Sequence, residues 1–206
     1  MRNRCARILI LTLLVLSALA PGCALRREPA MTVYALEPQW SVGERCPAAK
    51  KDSRVLQVAP VRGAMAFQTT DILYTDQVRS QQSYAYSRWR EAPVRAMQTV
   101  IEAALGNSGL FKAVLPSSSE AAADLVLEST LLECGHVLKE GEGSASQGVV
   151  RMRFYLIDTK GRTVIANKEL VAVAPAATND ASGAAAAINQ AALQVAAELA
   201  AWLAIL

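Results

Sequence analysis

The thiol of Cys23 has the most distinctive chemical setting in this sequence. Small residues at positions 20–22 precede it, and before them an apolar run over residues 8–20 follows three arginines. The run is shorter than the roughly 20 residues that a membrane-spanning helix needs, and its basic flank is typical of a secretory signal. A lipoprotein signal peptidase accepts a small residue before the cysteine. We therefore predict that residues 1–22 are a lipoprotein signal peptide and that Cys23 is the lipid-attachment residue.

The segment departs from the usual lipobox at two positions. Ala20 stands where leucine is usual, and Pro21 is uncommon there. The main alternative is an ordinary signal peptide cleaved nearby, whereas a retained membrane helix is disfavoured by length. With lipidation at Cys23, residues 23–31 become a short polar tether, and residues 32–206 form a single periplasmic domain.

Two further cysteines, Cys46 and Cys134, remain once the signal is removed. Exported proteins fold where disulfides persist, so these two thiols are candidates for a bridge between an N-terminal loop and a mid-chain strand. The alternative is two unpaired cysteines, because the sequence does not show whether their Cα atoms come within about 7 Å.

The remaining reactive side chains do not form a catalytic or metal-binding pattern. His136 is the single histidine of the chain, and the glycines and serines of residues 143–148 lack the Gly-x-Ser-x-Gly spacing of a nucleophile elbow. Cys134 and His136 supply two ligands, whereas a closed zinc site takes four. We therefore expect a protein that is not an enzyme and binds no cofactor or metal.

The charge balance argues against nucleic acid as a partner. The three arginines before Cys23 would leave with the signal, so the 21 basic residues fall to 18 and equal the 18 acidic residues. Binding to a phosphate backbone needs a clustered basic excess.

Periodicity predicts the elements that position these side chains. Apolar residues at spacings of three and four predict a helix over residues 90–105, ended by Gly106 and Asn107, and an alanine-rich helix over residues 184–206 with cap candidates in residues 178–180. This order of elements predicts an α+β domain with a mostly antiparallel or mixed sheet and both helices on one face. Strands are expected at residues 32–36, 54–61, 71–75, 83–89, 110–115, 123–136, 149–158 and 163–173.

The clearest alternation lies in residues 149–158. The even-numbered residues from Val150 to Leu156 are apolar and should face the core, while Arg151, Arg153 and Tyr155 should face solvent or a partner. A hairpin turn follows, in which Gly161 can take a positive φ.

Four aromatic residues lie close together in the sequence: Tyr74, Tyr84, Tyr86 and Trp89. Exposed aromatic side chains are enriched at protein interfaces, so these residues are candidates for partner contact. The alternative is that they belong to the core.

Several short motifs resemble, in order, those of one known family, the ABC-type transport auxiliary lipoprotein components related to paraquat-inducible lipoprotein C. The likeness covers nearly all of residues 32–206 and ends with the alanine-rich last helix. The matching pieces are Tyr34-Ala35-Leu36-Glu37-Pro38, Val58-Ala59-Pro60-Val61, Ile72-Leu73-Tyr74, residues 84–93 with Trp89 and Pro93, and residues 123–127.

The resemblance implies a non-catalytic role beside an ABC permease, its ATPase and a protein with MCE (mammalian cell entry-like) domains. Such a transport system moves lipids or other hydrophobic substrates across the cell envelope. The resemblance also implies assembly into a homo-oligomer. Ala24 rather than aspartate follows Cys23, so retention at the inner membrane is not signalled. We therefore expect the lipoprotein to be anchored at the periplasmic side of the outer membrane. Two other classes stay open: a lipid or small-ligand carrier, and a structural or assembly lipoprotein unconnected to a transporter.

Overall fold

The computed structural model describes residues 29–37, 52–76, 80–138 and 146–206. The predictions for the signal peptide, for Cys23 and for Cys46 fall outside these residues. The chain from Met31 to Leu206 groups into one compact unit.

The described residues form nine strands and two helices, and this confirms the expected α+β class. The helices are α1 (Pro93–Ser108) and α2 (Ala181–Leu203), and a 3-10 turn covers Met65–Phe67. The strands are β1 (Thr32–Tyr34), β2 (Asp52–Val58), β3 (Arg62–Gly63), β4 (Asp71–Asp76), β5 (Gln81–Trp89), β6 (Phe111–Leu115), β7 (Leu125–Leu138), β8 (Gln147–Asp158) and β9 (Thr163–Pro175).

Strand β7 is the centre of a curled, mixed sheet. One of its edges pairs antiparallel with β8, and β8 pairs antiparallel with β9. Its other edge pairs in parallel with three strands in succession: β2 at its start, β3 near its middle and β4 at its end. Strand β6 extends the sheet from β2, while β5 and then β1 extend it from β4. The sheet therefore has two separate arms at opposite ends of β7.

Helix α1 joins the two arms, running from β5 to β6. Pro93 occupies its first turn as predicted, where its missing N–H costs no hydrogen bond. The predicted stop at Gly106 was wrong, because the helix continues to Ser108 and the left-handed residue is Gly109, with φ 67°. Glycine tolerates both helical and left-handed backbone, so the pattern did not select between the two glycines.

Helix α2 packs on β7, β8 and β9. Asp180 caps its first turn, and its predicted apolar face is buried at Ile188, Val195, Leu199 and Trp202. Leu206, expected on the same face, is exposed, because the helix ends at Leu203. The alanines of α2 allow the helix to lie close to the sheet. A Cβ added at Gly148 of β8 would lie only 2.5 Å from main-chain atoms of α2, so glycine is needed there.

The core lies between the sheet and the helices. The alternation predicted for β8 is confirmed, since Val150, Met152, Phe154 and Leu156 are at most 2% exposed. Within the described ranges, neither helix is long and apolar enough to cross a membrane.

The hairpin turn between β8 and β9 differs from the prediction. Arg162 rather than Gly161 has the positive φ, at 50°. The Asp158 carboxylate accepts the N–H groups of Lys160 and Gly161, and this local turn moves the left-handed position one residue on.

Candidate functional site

A buried histidine marks the end of β7. His136 is 1% exposed, and its Nδ1 lies 2.7 Å from the hydroxyl of Tyr84 on β5, with which it shares a hydrogen bond. Its Nε2 is buried without a hydrogen-bond partner among the described residues. Burial lowers the pKa of His136, while the nearby negative charge of Asp180 acts in the opposite direction. The ring is therefore held as a neutral imidazole at pH 7.

Tyr84 links this histidine to the surface. Its ring centroid lies 4.8 Å from that of Tyr74 and 6.2 Å from that of His136, so three rings follow one another across β4, β5 and β7. Burial raises the pKa of Tyr84 to about 12, and Asp180 adds to the effect. The Tyr74 hydroxyl donates to Gln82 at 2.7 Å. These contacts fix the Tyr84 ring in one orientation.

The four aromatic residues predicted for partner contact have different surroundings. Trp89 is 2% exposed and belongs to the core, which was the alternative interpretation. Tyr84 and Tyr74 are partly buried, and Tyr86 is 51% exposed. Tyr86 is therefore accessible to a partner, Tyr74 and Tyr84 are accessible in part, and Trp89 is not accessible.

An open groove of about 350 Å³ lies beside these tyrosines, and we name it the tyrosine groove. Tyr34, Tyr84 and Tyr86 are among the residues that line it, and the start of α2 contributes Asp180 and Ser182. Tyr34 was not among the residues predicted for partner contact. Its position depends on the parallel pairing of β1 with β5, which sets Tyr34 opposite Trp89.

Hydrogen bonds hold the α2 side of the tyrosine groove in place. Asp180 Oδ1 accepts the Gly183 N–H at 2.9 Å and the Thr178 hydroxyl at 2.7 Å. These bonds, of which the one from Gly183 is the stronger cause, lower the pKa of Asp180 and keep it ionised. Asn189 of α2 donates to the Ala35 carbonyl at 3.0 Å, so the helix is also tied to the chain just after β1.

Of the two cysteines considered for a disulfide, only Cys134 lies in the described part of the chain. Cys134 is buried, and burial raises the pKa of its thiol to about 12, so it is unreactive at neutral pH. Cys46 lies outside the described residues, and the bridge between the two stays a prediction. The residues with described positions include no group of three His, Cys, Asp or Glu side chains that could hold a metal ion.

A second surface lies on the opposite side of the β8–β9 hairpin from α2. Arg151 bridges Glu133 and Glu169, and Arg153 also contacts Glu169. Beside this ladder, Val171 and Val173 of β9 are 42% and 45% exposed. The charges of the ladder are paired with one another across three strands.

The comparisons with known proteins identify both the fold and the family. A Xanthomonas campestris crystal structure, assigned to the domain family DUF330, matches with a TM-score of 0.76 and 22% identity, over 84% of this chain and 95% of that one. A hypothetical protein from Chlamydia trachomatis matches with a TM-score of 0.53 and 12% identity, over 74% of this chain and 96% of that one. At these identities the likeness shows the fold alone. The comparison with curated proteins gave no significant match.

The family model described as "ABC-type transport auxiliary lipoprotein component" matches residues 34–200. This range includes every described strand and helix except the first residues of β1 and the last residues of α2. The chain therefore belongs to the ABC-type transport auxiliary lipoprotein component family.

Proposed function

We propose that this chain is a non-catalytic lipoprotein, anchored through Cys23 at the periplasmic side of the outer membrane, that docks the MCE-domain protein of an ABC transport system moving lipids or other hydrophobic substrates. The family supports an auxiliary role in ABC-type transport. The observation that carries the docking role is the tyrosine groove, where three tyrosines line one open surface.

The groove has the properties of a protein-binding surface. Tyrosine offers a large apolar ring and a polar hydroxyl, and it is enriched among the residues that dominate binding energy at interfaces. Tyr84 is already fixed through His136 and Tyr74, so binding would order few side chains there. A preorganised surface binds more tightly because less conformational entropy is lost on association.

The alternative of a lipid carrier needs a sizeable apolar cavity between the sheet and the helices. Buried side chains occupy this region: Ala184, Ala187, Ala191 and Val195 of α2 are at most 1% exposed, as are Val150 and Phe154 of β8. This packing favours docking over carriage.

Co-purification tests the docking role. The full-length chain is purified in a non-ionic detergent from cells that carry a tagged MCE-domain protein of a neighbouring transport system, and the bound fraction is measured. We expect Tyr34→Ala with Tyr86→Ala to lower recovery of the MCE-domain protein about tenfold or more, as loss of aromatic anchors does. The matched control is Val171→Ala with Val173→Ala, which removes exposed apolar area from the second surface.

Two results would contradict the docking role. One is failure of the unaltered chain to recover any MCE-domain protein, and the other is an equal loss of recovery in the control pair. The anchor is tested separately with Cys23→Ala. This variant should lose labelling by tritiated palmitate and leave the membrane fraction, and labelling at the normal level would show that Cys23 is not the lipid-attachment residue.

A further inference from the structure

The tyrosine groove combines aromatic rings with a single negative charge. Its lining, as far as the described residues form it, includes three tyrosines and Asp180 and contains no lysine or arginine. Arg88 on β5 and Arg90 just after it are not part of the lining, and Arg90 is paired with Glu37. The groove is therefore negative in character.

Asp180 can act on a ligand without leaving its structural role. Its Oδ1 atom accepts the Gly183 N–H and the Thr178 hydroxyl, and the Ser182 N–H adds a weaker bond to the carboxylate. A carboxylate has about four acceptor positions, so it can still accept a hydrogen bond from a ligand. Asp180 lines the same groove as Tyr84 and Tyr86, and its negative charge raises the pKa values of Tyr84 and His136.

A positively charged ligand would interact favourably with both the tyrosine rings and the carboxylate of the groove. The face of an aromatic ring attracts a positive charge, and several rings around one site recognise a cation together. An ionised carboxylate adds direct attraction. Arginine suits such a site better than lysine, because its planar guanidinium stacks on a ring while its N–H groups reach a carboxylate.

The strand next to the groove indicates that the cation belongs to a polypeptide. Within the part of the chain that the structure describes, strand β1 is the last strand of its arm and pairs only with β5. Its Val33 side chain is 50% exposed, and Met31 just before it is 48% exposed. The outer edge of β1 can take up an extended segment through main-chain hydrogen bonds, as in β-strand addition.

We propose that the tyrosine groove binds an arginine side chain on an extended segment of the partner protein, with the rings of Tyr34, Tyr84 and Tyr86 on one side and the Asp180 carboxylate on the other. This rests on the proposed docking function and names the chemistry of the partner. The segment lies along β1 and directs its arginine into the groove.

A pair of peptides tests the charge requirement. The full-length chain in non-ionic detergent carries 13C-labelled tyrosine rings, and it is titrated with acetyl-Thr-Val-Arg-Val-Thr-amide or with the same peptide containing citrulline, the uncharged isostere of arginine. We expect the arginine peptide to shift the ring signals of Tyr34, Tyr84 and Tyr86. The citrulline peptide should bind about fivefold or more weakly, in line with cation–π energies.

Two variants locate the site. Asp180→Asn removes the charge but keeps the helix cap, since asparagine and aspartate cap about equally well, and it should weaken the arginine peptide about fivefold without changing the citrulline peptide. Tyr86→Leu keeps apolar area but removes the ring, and it should weaken the arginine peptide in the same way. Val171→Ala on the second surface should bind both peptides as the unaltered chain does.

The proposal is overturned if the two peptides bind equally, if neither shifts the tyrosine signals, or if Asp180→Asn has no effect. It is also overturned if phosphatidylcholine bicelles shift the same signals and displace the arginine peptide, because the occupant would then be a lipid headgroup. Co-purification separates this failure from that of the docking role. Docking survives without the arginine if MCE recovery needs Tyr86 but not Asp180, and it fails if the unaltered chain recovers no MCE-domain protein.

Discussion

The two ends of strand β7 have similar pairing, since each lies between one parallel strand and the antiparallel β8. They differ in their buried side chains, which are apolar at one end and polar at the other. At its start, Leu125 and Leu127 pack beside Leu56 and Val58 of β2, and all four are fully buried apolar residues. At its end, beside β4, the buried residue is His136, which shares a hydrogen bond with Tyr84 and leaves Nε2 without a described partner. Each end begins one arm of the sheet.

The difference separates stability from recognition. Burial of these four apolar side chains at the first end contributes free energy of folding. A buried polar ring at the other end costs free energy unless its nitrogen atoms are hydrogen-bonded. What that end gains is a fixed Tyr84 in the wall of the tyrosine groove. We infer that the first arm stabilises the domain and that the second arm holds its binding surface.

The largest effect is expected from Leu127→Ala at the apolar end. Truncating a fully buried leucine removes apolar contacts and leaves a cavity, so the free energy of unfolding should fall by about 3 kcal/mol. Urea unfolding of the full-length chain measures the loss. Recovery of the MCE-domain protein should be unchanged under conditions where the variant is folded. The control Val171→Ala, at an exposed position, should change the free energy of unfolding by less than about 0.5 kcal/mol. Loss of docking in folded Leu127→Ala would contradict the separation of the two ends.

The sequence predicted the buried apolar positions of the sheet better than the polar end of β7. The alternation in β8 placed Val150, Met152, Phe154 and Leu156 in the core, and the strand expected at residues 149–158 is found at Gln147–Asp158. This pattern lies within one stretch of sequence, because a strand with one face on the core must alternate apolar and polar residues.

The tyrosine groove could not be derived in the same way, because it depends on contacts between distant parts of the chain. Tyr34 reaches it only through the pairing of β1 with β5, and Asp180 only because α2 begins there. The register of β4 and β5 also shifts between Asp71 and Leu73, which changes the side of the sheet that each residue of β5 faces. Simple alternation would place Tyr84 and Tyr86 on the same face, whereas Tyr84 packs against the core and Tyr86 is 51% exposed.

A smaller effect is expected from Tyr84→Phe at the polar end. The substitution keeps the ring but removes the hydroxyl that is bonded to His136 Nδ1, so Nδ1 loses its partner as well and neither ring nitrogen is hydrogen-bonded among the described residues. The free energy of unfolding should fall by about 1–2 kcal/mol. Tyr86→Phe removes a hydroxyl from an exposed residue and should change it by less than about 0.5 kcal/mol. Equal effects of the two variants in urea unfolding would show that the His136 bond does not stabilise the domain.

The smallest effect concerns pH, and it tests whether the polar end is held neutral. Burial lowers the pKa of His136 below its ordinary value of 6.5 in the folded chain, whereas the unfolded chain should titrate near that value. Above pH 6.5 the ring is neutral in both states and stability is unaffected. As the pH falls below 6.5, His136 binds a proton in the unfolded state but stays neutral in the folded state. The free energy of unfolding therefore decreases until the pH reaches the pKa of His136 in the folded state.

This window isolates His136 from the other shifted groups. The carboxylates of Asp52, Asp124, Glu169 and Asp180 have pKa values lowered below their ordinary values of about 4, so their contributions are lost only at lower pH. His136 is the single histidine of the chain, so His136→Gln should unfold with the same free energy at pH 7 and pH 5. Direct titration of the His136 ring by NMR gives the same answer if that variant is unstable. A ring that titrates at or above 6.5 in the folded chain would mean that the polar end accepts a proton readily. Burial would then not be the factor that controls this end of β7.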